Sequence, residues 1–216
     1  HWMHSHVGLQ EQQLLAAPLI IRETEQPMFD QLEHVVMLHD FTFRPPGEIL
    51  AELQGGGGAH AGHAMPGMDA SGTDHSKMDH SGMAQGGGMG AGMGAGMLND
   101  VVFDAYLAND RTLADPEIVR VERGMSVRLR IINGCAASNL WVDLGGLDGE
   151  LIAVDGISIL PLKVKRVPLA IAQRADIRIR IPAEGDAWPV LFLPEGVAMR
   201  TGLVLAAPAF VYMVAF

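Results

Sequence analysis

Aliphatic residues alternate with charged ones along residues 127–131 and again along 176–181, and this pattern leaves the chain few folds to adopt. Val127, Leu129 and Ile131 are separated by Arg128 and Arg130. Ile177, Ile179 and Ile181 are separated by Arg178 and Arg180, with Asp176 in front. A period of two puts every aliphatic side chain on one face of an extended strand and every charge on the other. Val119 and Val121 flank Arg120 in the same way, and Gly124 separates them from the next run, so 119–131 reads as a half-buried hairpin. Further apolar runs at 140–144, 150–156 and 163–165 are punctuated by Gly, Pro and Asp. Residues 99–216 therefore read as one all-β domain, a sandwich or Greek-key barrel.

Composition narrows the function classes. The net charge is −10 with no basic patch, which argues against a nucleic-acid partner. No apolar run is long enough to span a bilayer. A single cysteine, Cys135, excludes an internal disulfide framework. No histidine lies near it in sequence, and it reads as a small buried or loop residue. Residues 33–43 read as a strand whose apolar stretch 35–38 is continuous, as in a strand covered on both faces. His34 and His39 stand beside Glu33 and Asp40 in it and read as structural. Residues 23–33 are polar and contain Pro27, which suits a linker.

Residues 55–98 are of a different kind. They hold 15 of the 26 glycines, 7 of the 13 methionines, 4 of the 9 histidines and no aromatic residue. Such a segment cannot bury enough apolar surface to offset its backbone entropy, so a mobile insert is expected. Its Met and His are spaced as His60, His63, Met65, Met68, then His75, Met78, His80, Met83, then Met89, Met93, Met97. Thioether sulfur is soft and selects Cu(I), and imidazole accepts either copper oxidation state.

The opening stretch carries the other concentration of chemistry. In a strand, His4 and His6 leave the same face, about 7 Å apart at ~3.3 Å per residue. That spacing suits two imidazoles serving neighbouring ions better than two ligands on one ion. Copper, zinc, iron and nickel all accept imidazole. Residues 1–22 read as two strands joined by a turn or short helix, with Pro18 at a strand entry.

The letters around these histidines resemble the multicopper oxidases, and most closely their bacterial copper-resistance branch. The resemblance runs through Trp2-Met3-His4-Ser5-His6, Gly8, Gln10-Glu11-Gln12 and Ala17-Pro18-Leu19-Ile20-Ile21. It continues through Leu38-His39-Asp40-Phe41, the methionine-rich stretch from Met78 to Met83, residues 127–133 and Ala153-Val154-Asp155-Gly156. Met3 stands where tyrosine is common, and His1 where the family usually has an aromatic residue, so no ligand role passes to His1.

The resemblance implies an all-β chain of cupredoxin-like Greek-key domains. Residues 1–30 would be the C-terminal part of one domain with its linker. Residues 31–216 would be a second domain, interrupted by a disordered Met/His/Gly-rich insert at 55–98. It further implies that His4 and His6 ligate a binuclear (type 3) copper pair, one to each ion. The middle domain carries no copper in the family, which agrees with the absence of histidine after His80. An upstream H-W-H-G-like motif and a third domain with an H-C-H motif are expected elsewhere in a longer, periplasmic parent. Such a parent would couple one-electron oxidation of Cu(I) or phenols to reduction of O2 to water, in copper tolerance. The 216 residues alone should not turn over. A rival reading is a non-enzymatic copper buffer built on the Met/His loop. A copper nitrite reductase, also made of cupredoxin domains, has no type 1 motif to support it.

Overall fold

The computed structural model describes residues 1–21, 31–55 and 99–208. Fourteen elements are numbered in chain order: β1 Trp2–His4, β2 Ala16–Pro18, β3 Gln31–Phe41, α1 Pro46–Gln54, β4 Ala105–Ala108, β5 Glu117–Arg120, β6 Ser126–Asn133, β7 Leu140–Asp143, β8 Gly149–Val154, β9 Ile157–Val164, β10 Arg166–Leu169, β11 Arg174–Arg180, β12 Ala187–Pro194 and β13 Thr201–Ala206. A six-stranded sheet runs β4-β3-β6-β11-β8-β9, and a five-stranded sheet runs β10-β7-β12-β13-β5. Neighbours are antiparallel except β3 with β6 and β5 with β13. These parallel pairs mark the long crossovers of a Greek-key sandwich.

The alternating patterns form the core as expected. Val127, Leu129 and Ile131 of β6 and Ile177 and Ile179 of β11 are fully buried, as are Val36 and Leu38 of β3. They meet Val142, Val190, Phe192 and Leu205 from the other sheet in one cluster. The charges between them turn outward and pair across the strands. Arg128 reaches Asp176 at 2.5 Å and Glu33 at 3.4 Å, and Arg178 reaches Glu150 at 2.6 Å.

The hairpin expected across Gly124 is not formed. β5 lies in the five-stranded sheet beside β13, whereas β6 lies in the six-stranded sheet between β3 and β11. The turn at Gly124, with φ +79°, is an arch between the sheets. Gly124 N–H donates to the carbonyl of Ile181 at 3.0 Å, which ties the arch to the end of β11. Alternation states which face of a strand is buried, not whether its sequence neighbour lies beside it or across the core. The stretch 150–156 likewise divides: Asp155 (φ +53°) and Gly156 (φ +81°) form a two-residue turn, and Val154 pairs with Ile157 across it.

Sequence patterning missed α1, which starts on Pro46 at its first position, where the absent N–H is not needed. Residues 56–98, with the proposed ligands His60, His63, Met65, Met68, His75, Met78, His80, Met83, Met89, Met93 and Met97, lie outside the described residues.

The sandwich interior sets a stability test. Phe192→Ala removes a fully buried ring and should cost about 3–5 kcal/mol in denaturant unfolding. Leu160→Ser, at a site 91% exposed on β9, should change it by less than about 0.5 kcal/mol.

Candidate metal centre

The N-terminal segment forms its own small ladder. β1 pairs antiparallel with β2, with Trp2 opposite Pro18 and His4 opposite Ala16. Pro18 thus ends a strand rather than entering one. Ser5 N–H donates to the carbonyl of Leu15 at 3.0 Å and continues the ladder one step.

Regular pairing then stops, and the chain bends at Val7. Ser5 Oγ donates to Gln10 Oε1 at 2.7 Å and accepts from Val7 N–H at 3.1 Å. Gly8 has φ +56°, which glycine adopts without steric cost. A short 3-10 helix, Glu11–Gln13, follows, and Leu14 closes it in the left-handed region at φ 66°. The two expected strands with a short helix between them are therefore present, and this turn carries Glu11 back to β1.

The two histidines sit closer than an unbroken strand would hold them. Their ring centroids are 4.6 Å apart with planes tilted by 44°. β1 ends at His4, so His6 lies outside the ladder. On its other contact, the His4 ring stacks on Trp2 at 4.4 Å and 24°. His4 Nδ1 lies 3.0 Å from Glu11 Oε2, at ion-pair distance though off the line of a ring N–H hydrogen bond.

Imidazoles at this separation suit two ions about 3.5–4 Å apart, the spacing of binuclear centres. The donor chemistry also fits copper. The pair is not a complete site, because among the described residues no three His, Cys, Asp or Glu side chains come together as a metal site. His4 and His6 can supply only part of a coordination sphere.

The remaining candidates have structural work. His34 Nε2 lies 3.2 Å from Glu117, not against its sequence neighbour Glu33. His39 is buried, with Nδ1 3.1 Å from the carbonyl of Gly134. Burial pushes its pKa down, opposed by the Gly134 carbonyl and by the charges of Asp110, Asp40 and Glu11. Asp40 accepts from the backbone N–H of Ala136 at 2.8 Å and of Ala137 at 3.0 Å. Cys135 is buried in the same loop, and desolvation with the nearby Asp40 charge raises its thiol pKa well above the usual range. An inert thiol is the result. A cavity of about 210 Å³ joins these parts, with Glu11 and Leu14 on one wall, His39 and Phe103 on another, and Leu50 of α1 on a third.

Residues 33–202 match the sequence model of the multicopper oxidases. The chain belongs to the multicopper oxidase family. Copper is the cofactor of this family. Among curated relatives, multicopper oxidase MmcO of Mycobacterium tuberculosis is 26% identical over 91% of this chain and 36% of its own length. Copper resistance protein A of Escherichia coli is 28% identical over 96% of this chain and 36% of its own. The chain thus spans about a third of these relatives. The crystal structure of Fet3p, a multicopper oxidase that functions in iron import, superposes with a TM-score of 0.66 at 10% identity, over 95% of this chain and 33% of Fet3p. That likeness establishes the cupredoxin-like fold. Among the described residues no helix is long and apolar enough to cross a membrane.

Two features of the site were missed in the sequence: the carboxylate of Glu11 at His4 and the stacking of Trp2. Both residues stand in the family-like stretch; Trp2 shares a strand face with His4 two residues away, whereas the Glu11 contact depends on the return turn through Gly8 and Leu14.

His39 gives a pH prediction. Its pKa is lower folded than unfolded, so below about 6.5 the unfolded chain binds more protons. The contribution of His39 to stability is present above that pH and lost as pH falls toward the folded value. Thermal midpoints should drop between pH 7.5 and 5.5, and His39→Gln should flatten that drop.

Proposed function

We infer that the chain is part of a copper-dependent oxidase and that His4 and His6 serve its binuclear copper pair, one to each ion. The observation carrying this reading is the convergence of two imidazoles at 4.6 Å, with no metal site of three such side chains among the described residues, in a chain of the multicopper oxidase family. In this reading residues 1–30 close one cupredoxin domain and residues 31–216 form the next, and other parts of a longer protein complete the metal shell.

Copper, when bound, supplies the one-electron redox steps between substrate and O2. The chain's own residues hold the imidazoles in place. Trp2 packs against the His4 ring, Ser5 pins the turn that follows His6, and the β1–β2 ladder holds the backbone of His4 opposite Ala16. The parent would act in the periplasm in copper tolerance, oxidising Cu(I) or phenolic substrates and reducing O2 to water. The Met/His segment, His60 to Met97, would bind copper through soft sulfur and imidazole donors, weakly at each site because a flexible ligand set must be ordered on binding.

The composition of that segment also favours a second reading, a copper-sequestering protein without turnover. The test is made on the parent with its flanking sequence restored. His4→Ala and His6→Ala should each abolish copper-dependent O2 consumption and lower tightly bound copper, with the fold intact by circular dichroism. Deleting residues 56–97 should lower Cu(I) capacity and leave O2 consumption of a phenol standing. If a copper-loaded parent consumes no O2 and the deletion alone removes its copper, the sequestering reading replaces the oxidase.

A further inference from the structure

The His4 ring has two nitrogens, and only one can face a metal. Its Nδ1 is a buried atom that meets no hydrogen-bond partner in line, and the carboxylate of Glu11 stands 3.0 Å away. Both side chains are largely withdrawn from water, at 29% and 24% exposure. The approach is built by the fold. Gly8 and Leu14, both with positive φ, turn the short helix back on the strand, and the hydrogen bond from Leu14 N–H to the Glu11 carbonyl at 2.9 Å fixes where Glu11 begins. Trp2 bounds the ring by stacking and His6 leans on it at a tilt. Among the described residues no carboxylate stands at ion-pair distance from His6.

Free neutral imidazole carries its proton on either nitrogen, and a hydrogen-bond acceptor at one nitrogen selects the tautomer. An anionic acceptor at Nδ1 favours the proton there and leaves the Nε2 lone pair open. It also raises the basicity of the ring as a ligand. We propose that Glu11 is the positioning residue of His4: its carboxylate holds the proton on Nδ1 and aims Nε2 at the metal. A small rotation of the carboxylate or the ring brings the N–H into line. No bond to carbon is made or broken, and Glu11 itself touches no metal. The proposal rests on the reading of His4 as a copper ligand, and the two can fail separately.

The experiment uses the 216-residue chain labelled with 15N, read by two-bond 1H–15N correlations of the histidine rings at neutral pH. Wild type, Glu11→Gln and Glu11→Ala are compared, with the sheet amide resonances as the check on folding. His4 in the wild type should be the Nδ1–H tautomer. Glu11→Ala should give a mixture of tautomers at His4 and leave His6 unchanged. Glu11→Gln keeps an oxygen acceptor and should restore the Nδ1–H form. Cu(I) is then added without oxygen at buffered free concentrations. The shifts of His4 Nε2 should reach their midpoint at about 10–100-fold higher free Cu(I) in Glu11→Ala than in wild type, the usual effect of losing such a partner. Residue-resolved signals separate this from uptake by the histidines of the Met/His segment. An Nε2–H tautomer in the wild type, or a tautomer and Cu(I) midpoint indifferent to Glu11→Ala, overturns the proposal. A tautomer that depends on Glu11 while Cu(I) leaves His4 and His6 unshifted upholds the positioning role and overturns the ligand reading.

Discussion

The structure depends on two aliphatic sheet faces pressed together. Leu129 and Ile177 on one side and Phe192 and Leu205 on the other are all fully excluded from water. Hydrophobic burial of this kind is non-directional, so by itself it fixes only that the faces meet. Register comes from the strands. A slip of one residue in β6 would send Arg128 and Arg130 into the core and Leu129 out of it. The ion pairs of Arg128 and Arg130 with Glu33 and Asp176 lie on the outer face and agree with the same register.

The N-terminal end is built differently, from a three-residue ladder and a turn pinned by Ser5, Gln10 and Leu15. The contacts of the His4 ring are local: one stacked tryptophan, one carboxylate and a strand that ends at this residue. Under the proposed function, neighbouring protein would supply the rest of the metal shell, since two imidazoles cannot saturate a copper pair.

Much of this was legible in the residues. The inward positions of β6 and β11 follow from alternation, and the turn at Asp155 and Gly156 agrees with the Asp-Gly preference of two-residue loops. Cys135 and His39 are structural, as their sequence settings suggested. Other features were not legible. The hairpin across Gly124 became an arch because periodicity carries no information on strand partners. The partner of His34 is Glu117, 83 positions away, rather than the adjacent Glu33. Helix α1 carries too short and weak an apolar stripe to stand out from a loop.

The sequence by itself determined the class of fold and the family, because period-two burial and the Trp2 to His6 stretch are local patterns. It also pointed to copper, through the family resemblance of that stretch and the thioether and imidazole donors of residues 55–98. Only the tertiary structure decided how His4 and His6 are held. It brings the imidazole rings to 4.6 Å, and it carries Glu11 to Nδ1 of His4 by a turn through two left-handed residues, Gly8 and Leu14. The second contact is a consequence of backbone dihedral angles at those two positions, where the surrounding fold makes the choice between conformers.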